Sequence, residues 1–90
     1  MKSVNRKIDK ILRHFGPKRQ KIKAAKQLAS LQDAILEEAL GGGSTMKILD
    51  EMTEAYIYLE QVKVMLDITD DEFDMLVRYK IDKIVDSFRR

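Results

Sequence analysis

Residues 45–67, TMKILDEMTEAYIYLEQVKVMLD, decide the fold. Ile48, Met52, Ala55, Leu59, Val62 and Leu66 alternate three and four apart, the spacing of a bundle or coiled-coil seam. Leu49, Tyr56, Ile57, Val64 and Met65 form a second apolar set off that seam. A helix that is apolar on more than one side sits at the centre of a fold or at a subunit interface. The stretch therefore predicts a helix from about Thr45 to Asp67 with more apolar surface than one neighbour covers.

Upstream of it, Gly41-Gly42-Gly43-Ser44-Thr45 breaks any helix, because three consecutive glycines lose too much backbone entropy to stay helical. Its composition is that of an engineered linker, or of a natural turn between antiparallel helices, which is the preferred reading. Ser44 or Thr45 then caps the helix that follows. A helix over about 17–40 precedes the turn, with Ile22, Ala25, Leu28, Ala29, Leu31, Ala34, Ile35, Leu36 and Ala39 as a broad apolar surface rich in small residues. Gly16-Pro17 separates it from a first helix over about 4–15, whose stripe is Val4, Ile8, Ile11, Leu12 and Phe15 and whose expected N-cap is Ser3. Downstream, Thr69-Asp70-Asp71-Glu72 is a capping-box pattern opening a fourth helix over about 70–89, expected to bury Phe73, Leu76, Val77, Ile81, Ile84 and Phe88. Four helices with short connections imply one all-α domain over 1–90, an antiparallel four-helix bundle.

Ninety residues give a thin core, so completion by homo-oligomerisation is the default expectation. The chain has no cysteine, which excludes disulfides and thiolate metal sites and fits a cytoplasmic protein. No apolar stretch approaches the roughly 20 residues of a membrane span, and Met1 to Arg6 lead into charged sequence rather than a signal core. The net charge of +2 conceals a strong asymmetry. Residues 1–31 hold ten Lys/Arg and one acid, net +9, while residues 32–90 hold seven and fourteen, net −7. Such polarity holds helices or subunits together, or presents a basic surface to an anionic ligand.

Common catalytic signatures are missing: there is no Gly-Lys-Ser/Thr phosphate loop, no His-Glu-x-x-His pair and no thiol nucleophile. His14, the one histidine, stands in a last helical turn, where it caps carbonyls or meets solvent more often than it binds metal. Metal chemistry would have to use carboxylates. Asp50, Glu51 and Glu54 are the best candidates, because residues three apart share a helix face and two hard oxygen ligands there can hold Mg²⁺ with phosphate oxygens. A solvated acidic face has the same spacing.

His14-Phe15-Gly16, the run Ala24-Ala25-Lys26-Gln27-Leu28-Ala29-Ser30-Leu31-Gln32-Asp33-Ala34-Ile35, the run from Glu51 to Gln61, and Tyr79-Lys80 together resemble the MazG-like all-α nucleoside triphosphate pyrophosphohydrolases. The resemblance spans nearly the whole chain. It implies a four-helix chain paired into dimers or tetramers, with Glu-Glu-x-x-Glu on helix two and Glu-x-x-Asp on helix three holding Mg²⁺ for cleavage between the α- and β-phosphates. Lys26, Gln27 and Ser30 stand at the three helix-two positions, whereas Glu51 and Glu54 keep carboxylates on helix three. Three of five expected acids are therefore absent, and with facing helices the Lys26 ammonium would lie near Glu51 and Glu54 in place of the metal. Tyr79, Lys80 and Lys83 resemble the family's phosphate-side residues and read equally as surface groups flanking Ile81 and Ile84.

The segment Lys18-Arg19-Gln20-Lys21-Ile22-Lys23 with Lys26 could instead contact nucleic-acid phosphates, but it carries no interleaved aromatic residue and no base-reading module. The sequence thus supports a MazG-like homologue with a degenerate site, acting as a binding or regulatory homo-oligomer for a nucleotide or protein partner, without a cofactor. An active Mg²⁺-dependent pyrophosphohydrolase and a small nucleic-acid-binding regulator are the alternatives.

Overall fold

The computed structural model describes residues 2–88, with side chains from Asn5 onward. The chain is all-helical: α1 is Lys2–Phe15, α2 Pro17–Ala39, α3 Thr45–Met65 and α4 Asp70–Ser87. Helix α1 starts earlier than expected, so Ser3 lies within it rather than capping it. The expected end of α4 at Arg89 falls outside the described residues; α4 stops at Ser87 with Phe88 as its C-cap.

Local sequence sets each boundary. Gly16 has φ 90 and Pro17 opens α2, so the chain turns sharply without losing a needed donor. Helix α2 ends in a Schellman turn, in which Gly41 N–H donates to Glu38 O and Gly42 N–H to Glu37 O while Gly41 takes φ 89. A Cβ on Gly43 would lie 2.7 Å from the Glu38 backbone nitrogen, whereas one on Gly42 meets only ordinary contact. Two of the three glycines are thus required by a tight turn. Ser44 Oγ accepts from Lys47 N–H, and Lys47 reaches back to Glu37 at 3.2 Å, tying α2 to α3 across the turn.

Helices α1, α2 and α3 pack on one another, α2 and α3 most extensively as an antiparallel hairpin. The residues turned inward on α2 are Gln20, Ala24, Gln27, Leu31 and Ala34, a four-three-four-three seam. On α3 they are Ile48, Glu51, Ala55, Tyr58 and Gln61. From α1, Ile8 and Leu12 are buried and Ile11 half-buried, as the stripe predicts; Phe15 is largely exposed. The core is therefore Ile8, Leu12, three alanines and two glutamines, and the largest fully buried side chain is Gln61. Gln20 Nε2 donates to Gln61 Oε1 at 2.8 Å, and Gln61 Nε2 donates to Ile57 O. The seam expected on α3 is only partly used: Ala55 is buried and Ile48 and Val62 half-buried, but Met52, Leu59 and Leu66 are exposed. Hydrogen bonding has turned the more polar side of α3 towards α2.

Helix α4 departs from the expected four-helix bundle. Among the described residues, no Cα of α4 lies within 8 Å of a Cα in α1, α2 or α3, and none of Phe73, Leu76, Val77, Ile81, Ile84 and Phe88 is buried. The cause is the four-residue connection 66–69. Helix α3 also ends in a Schellman turn, with Asp67 at φ 54, Asp67 N–H on Val64 O and Ile68 N–H on Lys63 O. Lys63 then bridges Glu60 and Asp70 at 3.0 and 2.8 Å, and the Thr69/Glu72 capping box starts α4 in the new direction. No helix of the described residues is long and apolar enough to cross a membrane.

Replacing Gly43 by alanine forces backbone apart and should cost about 1 kcal/mol or more, while Gly42→Ala should be near neutral. Urea unfolding of the two variants compares them directly. The Glu72 carboxyl lies below its ordinary value because it accepts from the Thr69 backbone, and that of Asp70 does so because Lys63 donates to it. The stability these carboxylates contribute is present above the unfolded value of about 4 and is lost as pH falls through the lower folded value. The Thr69 amide resonance should therefore titrate with a midpoint below that of an unperturbed glutamate, and Glu72→Gln should abolish the titration.

Candidate functional site: the α2–α3 polar seam

The seam's polar members lie where the antiparallel register brings the middle of α2 to the first half of α3. Gln27 is half-buried, and its Nε2 donates both to Glu51 Oε2 at 2.6 Å and to the Glu51 carbonyl oxygen at 3.0 Å. One amide thus uses both of its hydrogens on a single glutamate. That fixes the carboxylate and removes one of its lone-pair directions from any other ligand. The expectation that Lys26 faces Glu51 and Glu54 is not met: Lys26 is exposed and neither carboxylate is within 4 Å of its ammonium. Successive helical residues point about 100° apart, so only one of 26 and 27 can enter the seam, and the shorter uncharged side chain does. Ser30 is exposed one turn further on.

Glu54 does not share the Gln27 contact. It lines an open cleft of ≈ 320 Å³ between α1, α2 and α3, with Ile11, Phe15, Gln20, Lys23, Ile57, Tyr58 and Gln61. Lys23, rather than Lys26, is the cation that shares a surface with Glu54. The Gln20 end of the seam is imperfectly closed, since its Oε1 is buried without a hydrogen-bond partner among the described residues. Asp50 is exposed on the outer side of α3, and His14 is exposed with its ring edge-on to Phe15 at 4.7 Å. Tyr79, Lys80 and Lys83 lie together on α4, where the Lys83 ammonium stands 5.0 Å over the Tyr79 ring, and within one chain α4 carries them away from Glu51 and Glu54. The basic start of α2 does meet an aromatic ring, because Arg19 stacks 5.1 Å from the centroid of Phe15.

Mg²⁺ needs near-octahedral oxygen coordination. Among the described residues no three of His, Cys, Asp and Glu come together, and an amide nitrogen occupies the position beside Glu51 that an oxygen ligand would need. The residues present do not fit the metal that the resemblance implies. Sequence reasoning missed Gln20, Lys23, Tyr58 and Gln61; the available signal was the four-three spacing of Gln20, Ala24, Gln27 and Leu31, which ranks lower than the apolar set when hydrophobicity alone is counted.

Gln27→Glu converts the seam into a carboxylate pair at hydrogen-bond distance. Like charges so placed raise each other's affinity for protons, so the variant should lose about 1–2 kcal/mol at pH 7 and regain it near pH 4. It should also gain a thermal response to millimolar Mg²⁺, readable by calorimetry, whereas Lys26→Ala should be near neutral. Comparison with protein-family models, with curated proteins and with solved structures finds no match to this chain.

Proposed function

We propose that the chain is a MazG-like helical scaffold whose metal site has been replaced by an internal hydrogen bond, and that it works by binding, as a regulatory homo-oligomer, rather than by hydrolysis. The observation that carries this reading is the Gln27 amide on the Glu51 carboxylate. In the family the corresponding helices face each other through acids that need a cation between them. Here a neutral donor meets the one acid it faces, so the helices close without a metal. Lys26 and Ser30 stand outside the seam and supply no ligand in its place. The apolar surface left uncovered supports the oligomer: Leu28, Met52, Tyr56, Leu59, Leu66, Phe73 and Ile84 are all exposed.

Nucleotide recognition in such a scaffold would use the cleft holding Lys23, Glu54 and Tyr58, whose charged and aromatic groups suit a small polar ligand better than a transferring phosphoryl group. The experiment is incubation with each nucleoside triphosphate and Mg²⁺, with monophosphate and pyrophosphate as the products sought. No turnover is expected, and millimolar Mg²⁺ should leave the melting temperature of the wild type unchanged, because stabilisation grows as the logarithm of one plus the ratio of ligand concentration to dissociation constant and is negligible where that ratio is small. Pyrophosphate release together with a Mg²⁺-dependent rise in melting temperature that Glu51→Gln abolishes would establish the active enzyme instead.

A further inference from the structure

The corner where α1 gives way to α2 collects cations that have no acid to meet. Asp9 is the one acid before Asp33, and Arg13 takes it at 2.9 Å. Among the described residues, Lys7, Lys10, Lys18, Arg19, Lys23 and Lys26 form no ion pair, and all six are exposed. They also share one side of the molecule. Lys7 and Lys10 line a hollow of ≈ 500 Å³ on α1 that reaches Phe15. Lys18, Arg19, Lys23 and Lys26 line another, of ≈ 590 Å³, on α2 that also reaches Phe15. The ≈ 320 Å³ cleft described above takes in Phe15 and Lys23 as well. Phe15 thus stands where three concavities meet, 44% exposed, with Arg19 against its ring. Arg13 and Lys21 line none of the three. The aromatic ring that the basic segment lacks in sequence is brought to it by the Gly16 turn.

Three chemistries meet on this face. Its flanks call for anions. Its middle calls for hydrogen-bond donors, because Gln20 Oε1 is buried without a partner among the described residues and the Glu54 carboxylate lines the same cleft, keeping phosphates to the flanks. Phe15 offers a partly open ring for stacking. An acidic peptide supplies anions but no planar bases. An anionic membrane also supplies anions, yet docking on it needs a free apolar helix face, and the face of α1 that carries Ile8 and Leu12 is buried in the core. A nucleic-acid strand carries phosphates, planar rings and base N–H donors on one chain, and its bases reach an aromatic ring and a cleft only when unpaired. Lys18 to Lys26 spans about 12 Å of α2, and Lys7 and Lys10 lie beyond Phe15 on another helix, so the surface serves several phosphates rather than those of one nucleotide.

We infer that the α1–α2 corner binds single-stranded nucleic acid: Lys18, Arg19 and Lys26, with Lys7 and Lys10 across the corner, hold the phosphates, a base stacks on Phe15, and the donor edge of a base enters the Gln20–Glu54 cleft beside Lys23. The inference rests on nucleotide recognition by that cleft, as proposed above, and makes the nucleotide one unit of a strand. It does not depend on the Gln27–Glu51 contact. Phosphate, ring and base edge are common to RNA and DNA, so the surface takes both.

Fluorescence anisotropy of the full chain with a labelled single-stranded oligonucleotide of mixed sequence, about 16 nucleotides long, tests this, with circular dichroism melts to show that each variant folds. The wild type should bind RNA and DNA strands alike at micromolar concentration, and the duplex of the same sequence more weakly. The logarithm of its affinity should fall against that of salt concentration with a slope of about −3.5, the value for five phosphates of a single strand. Lys18→Glu with Lys26→Glu should weaken binding at least about tenfold and flatten the slope by about 1.4. Lys21→Glu with Arg78→Glu makes the same change of charge away from the three concavities and should stay within about twofold of the wild type. Phe15→Leu should weaken binding about tenfold at an unchanged slope, because stacking is lost and charge is not. Equal losses in the two charge pairs, with Phe15→Leu neutral, would overturn the site in favour of unspecific attraction. Tighter binding to phosphatidylcholine vesicles containing phosphatidylserine, or to polyglutamate, would overturn it in favour of a membrane or an acidic protein. A wild type that binds free nucleoside triphosphate but no strand would overturn the inference and leave the nucleotide reading standing, and one that binds neither would overturn both.

Discussion

The structure depends on the amide–amide hydrogen bond between Gln20 and Gln61 and its counterpart between Gln27 and Glu51. Between them lie Ala24 and Ala55, with Ala34 two turns further along α2, and these small side chains have no shape that prefers one register of α2 on α3 to another. Sliding α3 by one turn would change apolar contact little but would strip both pairs of their partners. Each buried polar group left unpaired costs about 1–3 kcal/mol, far more than the difference between two alanine registers. The amides therefore fix where the helices stop sliding.

Such a seam confers register more than stability. A hydrogen bond nets about 1 kcal/mol, and the orphaned Oε1 of Gln20 offsets much of the gain from its Nε2. Alanine burial adds little apolar area. Within one chain, Ile8 and Leu12 are the largest buried apolar side chains, both from the shortest helix. Most of the other leucines, isoleucines and aromatic residues, which would ordinarily supply the hydrophobic term, are exposed. The polar residues of the seam set the internal geometry, and many of the larger apolar residues are left exposed.

Helix boundaries were legible in the sequence because their causes are local. Gly16-Pro17, the Gly41 turn and Thr69 with Glu72 act through a few consecutive atoms, and the structure places each break within two residues of the reading. The inward face was not legible. On α3 the apolar seam through Met52 and Leu59 and the polar one through Glu51 and Tyr58 share Ile48 and Ala55, so periodicity detects both and hydrophobicity ranks the wrong one first. The choice is made by partners on α2 that are 24 and 41 residues away in the chain. The site follows the same division: Glu51 was found, and its contact with position 27 rather than 26 depended on a rotation of α2 that only the Gln20 end of the seam settles.

The fourth helix shows why connection length is a poor guide to packing. Short links favour antiparallel neighbours, yet a four-residue link can also be wholly occupied by terminating one helix and starting the next. Leu66 and Asp67 complete the Schellman turn of α3, Ile68 supplies its last donor and Thr69 caps α4, so no residue is free to reverse the chain. The Lys63 ammonium, raised above its ordinary value by donating to Asp70 and Glu60, locks the angle from the inside and stands 4.7 Å over the Phe73 ring. Folding α4 back onto α2 and α3 would break that ion pair and the αL turn together. An outward α4 is thus the product of ordinary terminal signals placed back to back.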